Sequence, residues 1–113
     1  MTVLVCGSRN WDDFATVLFE LSLTNADLVI EGEASGADSM GKQAADMLGI
    51  PVVGFPADWS VRGKSAGFIR NQTMLDSKPD LVLAFWRDHS RGTGHMIDIA
   101  TKAGVKVRVV AAI

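Results

Sequence analysis

The sequence predicts an α/β domain of the Rossmann-like, doubly wound type: a parallel five-stranded sheet in a three-layer α/β/α sandwich. Three observations carry this. Strand-like and helix-like segments alternate along the whole chain. The strand-like segments are continuous apolar runs rather than apolar–polar alternations, the pattern of strands covered on both faces. The chain has 113 residues, 48% of them hydrophobic, which suits one domain with a real core. No linker, repeat or low-complexity segment divides it, so residues 1–113 read as a single domain.

The elements follow in order. Thr2 to Cys6 is a short β-branched run, closed by the turn-forming Gly7-Ser8-Arg9-Asn10. Asp12 or Asp13 can cap a helix whose Phe14, Val17, Leu18 and Leu21 share one face. Asp27 to Glu31 is the second strand, ending in the glycine-containing stretch Gly32 to Gly36. The next helix presents Met40, Ala44, Met47 and Leu48 at helical spacing and stops at Gly49, with Pro51 just beyond. Val52 to Phe55 is the third strand, and Pro56 to Gly63 the longest loop. A helix from Lys64 to Asp76 follows, with Ala66, Ile69 and Thr73 on its buried face. Leu81 to Trp86 is the fourth strand and Arg87 to Arg91 a loop. A helix beginning near Gly92-Thr93 then closes at Gly104, and Val105 to Val110 is the fifth strand. Right-handed crossovers join these units into the sandwich.

The formal net charge is −2. A generic nucleic-acid binder carries a basic excess, because phosphate neutralisation dominates its affinity. A broad nucleic-acid surface is therefore not expected, while one local basic pocket is allowed. Cys6 is the single cysteine, which excludes an intrachain disulfide, and its place in an apolar run suits a small buried residue. With neither a signal-peptide pattern nor a long apolar run, the expectation is a cytoplasmic protein with no membrane partner. His89 and His95 are not at metal-ligand spacing with each other or with Cys6, so no metal site is expected.

In open parallel sheets, ligands bind beyond the carboxyl ends of the strands. Three of those ends are polar and glycine-rich here: Gly7 to Trp11 (GSRNW), Glu31 to Asp38 (EGEASGAD) and Ser90 to His95 (SRGTGH). Each leads into a helix, whose N-terminal N–H groups and dipole suit an anion. Ser8, Ser90 and Thr93 add hydroxyls, and Arg9 and Arg91 add charge and bidentate geometry. Arg70 and Asn71 lie beside the buried face of their helix, and Trp59 is either a loop anchor or a platform for a base. Asp38, just inside a helix start, suits the helix dipole or ribose hydroxyls. No Ser/His/Asp order, Walker loop or GxGxxG fingerprint is present.

Taken together, CGSRNW, GEASGADS, FPADWSVRGKSAGFIRNQTML and AFWRDHSRGTGHMIDIATKAG resemble the compact SLOG-superfamily proteins of the YspA-like Rossmannoid branch, over essentially the whole chain. That superfamily is related to the LOG-type phosphoribohydrolases and to DprA, and many members sense or process nucleotides or NAD-derived signals in bacterial or phage settings. The resemblance implies a pocket floored by Gly7, Ser8 and Arg9, with Gly32, Gly36, Ala37 and Asp38 as a second loop. Ser90, Arg91, Gly92 and Thr93 then match a phosphate-binding turn, and Trp59, Arg70 and Asn71 gain weight as ligand contacts. Two departures stand out. The glutamate of the LOG turn falls on Met96, preceded by RDHS rather than PGG, and the usual second-loop Gly-Gly pair is Gly32-Glu33.

The favoured expectation is a sensor or sequestering module for a nucleotide-derived, phosphate-bearing small molecule, ADP-ribose- or NAD-related or another nucleotide signal, with no cofactor required. The alternative is a nucleoside-monophosphate N-glycosidase of LOG type, with Asp38, Arg70 and Asp98 as catalytic candidates and Glu31 and Glu33 as further carboxylates. A DprA-like single-stranded DNA accessory protein ranks third. Trp11, Trp59 and Trp86 near loops leave apolar surface to spare, and related LOG-type proteins commonly dimerise. A homo-oligomer, a dimer or larger, is therefore expected, one subunit approaching the other's pocket.

Overall fold

The computed structural model describes residues 1–112. Five strands, β1 (Thr2–Gly7), β2 (Leu28–Glu31), β3 (Val52–Gly54), β4 (Leu81–Trp86) and β5 (Lys106–Ala111), form one parallel sheet in the order β3-β2-β1-β4-β5. Val3 is in register with Val29 on one side and Leu81 on the other. Helices α1 (Phe14–Ser22) and α2 (Ala37–Met47) cover one face, while α4 (Ala66–Asp76) and α5 (Arg91–Lys102) cover the other. This is the Rossmann-like α/β architecture that the sequence predicts.

Side-chain alternation splits the central strands between two cores. Val3, Val5, Leu83 and Phe85 meet Val17 and Leu21 of α1 and Ala44 and Ala45 of α2. Leu4, Cys6, Val82 and Ala84 meet Met74 and Leu75 of α4 and Met96 and Ala100 of α5. With both faces covered, the buried positions of β1 and β4 must be apolar, so these strands read as nearly unbroken apolar runs. The edge strands differ. β5 leaves Lys106, Arg108 and Val109 exposed, and Arg108 reaches across to the buried Glu20 of α1 through bonds of 2.8 and 3.1 Å.

Several local expectations need correction. Met47 and Leu48 are exposed; α2 instead buries Ala37, Asp38, Gly41, Ala44 and Ala45. These small residues let α2 lie against β1, where a Cβ on Gly41 would strike the Val5 side chain. On α4, Ile69 and Thr73 face solvent and Asn71 is buried, because the polar cavity described below begins at that face. The long loop holds a helical turn, α3 (Trp59–Arg62), followed by a 3₁₀ turn, Gly63–Ser65. Trp11 is only 4% exposed, tilted against Phe85 at 5.4 Å, so it offers no surface for association.

Candidate functional site

After β1 the chain passes to α1 on one face of the sheet; after β4, its neighbour, it passes to α5 on the other. The two connections diverge and open a crevice at the point where strand order reverses. A cavity of about 500 Å³ occupies it. Cys6, Gly7 and Met74 lie at its base, and Asp38, Arg70, Asn71 and Thr93 along its walls. Arg9, Trp59, Ser90, Arg91 and Gly92 also line it.

The remaining residues singled out in the sequence, Ser8, Gly32, Gly36 and Ala37, do not line the cavity but hold its loops in place. Ser8 is buried, accepting from the Arg87 N–H at 2.7 Å, donating to the Arg87 carbonyl at 2.8 Å and meeting Ser90 Oγ at 3.0 Å. It ties the loop after β1 to the loop after β4. Gly36 has φ +73°, and a Cβ there would run into the Ser8 and Arg9 carbonyl oxygens. Ala37 donates its N–H to the Ser8 carbonyl at 3.2 Å, so the first and second loops are pressed together.

Asp38 is 5% exposed and is the polar centre of the wall. Its Oδ2 accepts from the backbone N–H groups of Gly32 at 3.2 Å and Ala34 at 3.3 Å. Burial pushes its carboxyl up to about 6, against the opposing pull of the nearby Arg70 guanidinium and those two N–H bonds. Arg70 is itself fixed: Nη1 donates to the Gly32 carbonyl and Nε to Asn71 Oδ1 at 3.2 Å. A side chain on Gly32 would occupy the space held by Arg70 and Asp38, so a substitution there displaces these two side chains. Asn71 Nδ2 then donates to the Gly92 carbonyl and to His95 Nδ1, each at 3.1 Å. Accepting that bond keeps His95 Nδ1 unprotonated, and burial lowers the pKa of the ring below its ordinary value. Two adjacent residues of α4 thus connect the second loop to the first turn of α5.

Arginines outnumber carboxylates around the loops at the cavity, with Arg9, Arg87 and Arg91 against Asp88. Ser90 precedes α5 without a side-chain cap, its hydroxyl turned to Thr93 Oγ1 at 2.9 Å, so first-turn N–H groups of a twelve-residue helix stay open. Among the described residues, neither Arg9 nor Arg91 pairs with a carboxylate, whereas Arg87 meets Asp12 at 3.1 Å. Trp59 is 50% exposed, with the Arg9 guanidinium 5.5 Å from its ring centroid and Gly67 beneath its edge. It spans the mouth between α3 and the first loop, so one ring face already has a cationic neighbour.

Three acidic candidates lie elsewhere. Asp98 is exposed on α5 and paired with Lys102 at 3.1 Å. Glu33 is exposed and folds over Gly54 of β3. That keeps its carboxylate out of the cavity lining. Glu31 is buried, accepts from the Glu33 N–H, and has its pKa raised by burial. Met96 is fully buried in the core between α5 and the sheet. Sequence reasoning left out Asn10, Arg87 and Asp88, which line the cavity, and Phe68, whose ring meets His95 at 4.5 Å. Asn10 and Arg87 sit inside the very loops singled out or just before them; no periodicity marks Phe68.

Among the described residues, no group of three His, Cys, Asp or Glu side chains could hold a metal ion. None of their helices is long and apolar enough to cross a membrane. Against known proteins, the sequence model of the YspA, cpYpsA-related SLOG family matches residues 1–61. The chain is 38% identical to the Gene 61 protein of Mycobacterium phage D29, covering 93% of this chain and 92% of that protein. No solved structure gives a significant match. The match across the first two loops, with a relative of nearly equal length, places this chain in the YspA, cpYpsA-related SLOG family.

Proposed function

We propose that the chain binds a nucleotide-derived, phosphate-bearing small molecule at the β1/β4 switch point and acts as a sensor or sequestering module. The observation that carries this is the uncapped first turn of α5 opening into a 500 Å³ cavity beside Arg9 and Arg91. In a chain of net charge −2, that is a local anion site in an otherwise acidic protein. The volume lies within the ordinary range for small-molecule pockets, about 300–1,000 Å³. ADP-ribose- and NAD-related molecules and other nucleotide signals fit this description, with no further cofactor needed. Family membership supports a nucleotide-related ligand in coarse terms. Mass spectrometry of the small molecule released on denaturing the purified protein, followed by calorimetry against it, tests the reading. Saturable binding lost in Arg91→Ala supports it; no binding of any phosphate-bearing nucleotide rejects it.

A second reading, cleavage of an N-glycosidic bond, is favoured by one observation. Asp38 is a buried carboxyl with its pKa raised to about 6, in the cavity and beside Arg70. The apolar burial of Met96 counts against the LOG type of machinery. Incubation with nucleoside monophosphates decides: free base that disappears in Arg70→Ala supports hydrolysis, and its absence leaves the binding module. The concave site and acidic chain do not favour single-stranded DNA, and a gel shift at low salt checks this. We also propose a homo-oligomer joined beside the cavity mouth, supported by Val61, Phe68 and Ile69 being 76%, 45% and 37% exposed on α3 and α4. A strict monomer by light scattering at micromolar concentration contradicts it.

A further inference from the structure

The wall of the cavity holds an acceptor, Asp38, and a donor, Arg70, each held by hydrogen bonds and each with one atom to spare. Asp38 uses Oδ2 for the Gly32 and Ala34 N–H groups, and among the described residues no donor meets its Oδ1. No fully enclosed polar side-chain atom lacks a partner there, so Oδ1 retains access to the cavity that Asp38 lines. Arg70 uses Nη1 and Nε, and among the described residues Nη2 has no partner near Gly67 at the cavity wall. A carboxylate oxygen only accepts and a guanidinium only donates. The group that satisfies both must donate and accept at once, which an alcohol does and an ammonium does not. An ammonium would also be repelled by Arg70.

We propose that Asp38 Oδ1 and Arg70 Nη2 together recognise a sugar hydroxyl of the bound nucleotide, making the cavity selective for ribo- over deoxyribonucleotides. The phosphate sits at the first turn of α5, and the Arg70–Asn71–Gly92 linkage fixes that turn relative to the hydroxyl site. Prior fixing of both partners matters because little side-chain entropy is then lost on binding. The inference rests on the nucleotide-binding reading and sharpens it to the sugar.

The test is calorimetry of the full chain with the four ribonucleoside 5′-monophosphates and ADP-ribose. The 2′-deoxy and 3′-deoxy forms of the tightest binder are then titrated. Loss of a hydrogen bond to a charged group predicts on the order of 10- to 100-fold weaker binding for at least one deoxy form. In Asp38→Asn the discrimination narrows severalfold without vanishing, since an amide partner forfeits the charge assistance while Arg70 still donates, and discrimination unchanged in the variant overturns the assignment to Asp38. Ribo and deoxy forms binding wild type within 2-fold overturn the inference while leaving nucleotide binding standing, whatever the variant does. No binding by any member of the panel overturns the functional reading and this inference with it.

Discussion

Asp38→Asn isolates the energetic cost of the candidate site. The Asp38 carboxyl has its pKa raised from 3.8 to about 6 in the fold. Between those values the folded chain holds a proton that the unfolded chain has released, so stability falls as pH rises through the window. Above it, the fold carries an ionised buried carboxylate, a penalty of about 3 kcal/mol at one pKa unit per 1.36 kcal/mol. Asparagine keeps an oxygen for the Gly32 and Ala34 N–H groups and carries no charge. Asp13, lowered by its bonds to Thr16, titrates in both proteins and cancels in the difference, whereas the Glu31 charge, which helps raise Asp38, is part of the difference. In ligand-free protein, wild type loses about 2.5 kcal/mol relative to the variant between pH 4 and pH 7.5, or roughly 10 °C in Tm for a domain of this size. Thermal unfolding followed by circular dichroism across that range measures it. A Tm difference constant from pH 4 to pH 7.5 refutes the reasoning.

Gly36→Ala forces a side chain onto a backbone at φ +73° and against the Ser8 and Arg9 carbonyls. It destabilises by at least about 2 kcal/mol in denaturant titration, and an unchanged midpoint contradicts the packed-loop description. Arg108→Ala leaves the buried Glu20 without its bidentate partner and costs about 1–3 kcal/mol in chemical unfolding; an unchanged midpoint contradicts that. Burial pushes the Cys6 thiol far above its ordinary pKa. At pH 8 the native chain therefore labels with a thiol reagent only on the timescale of unfolding, and immediate labelling shows that the cavity base is open.

Strand–helix alternation and apolar continuity were enough to read the architecture because the central strands are buried on both faces. Edge strands carry a weaker signal, as β5 shows with Lys106 and Arg108. Helix faces were misjudged where small residues do the packing. Gly41 and Ala45 of α2 are buried by closeness to β1, which hydrophobicity alone ranks below Met47 and Leu48. The cavity was legible at the strand ends, since glycine, hydroxyl and arginine cluster in the loops. The division of labour within those loops was not. Ser8 and Gly36 are spent on loop-to-loop contacts, while Asn10 and Asp88 reach the cavity and each other at 3.1 Å. Side-chain direction at loop positions depends on dihedrals such as the left-handed Asp88 and His89, for which the sequence carries no periodic mark.

Nucleotide binding at the β1/β4 cavity is tested most directly by thermal unfolding of the chain with and without ADP-ribose and the ribonucleoside 5′-monophosphates. A ligand present at 100 times its Kd stabilises by about 2.7 kcal/mol. That predicts a rise in Tm of several degrees for at least one nucleotide and none for it in Arg91→Ala. A wild-type Tm unmoved by every phosphate-bearing nucleotide at millimolar concentration contradicts the assignment.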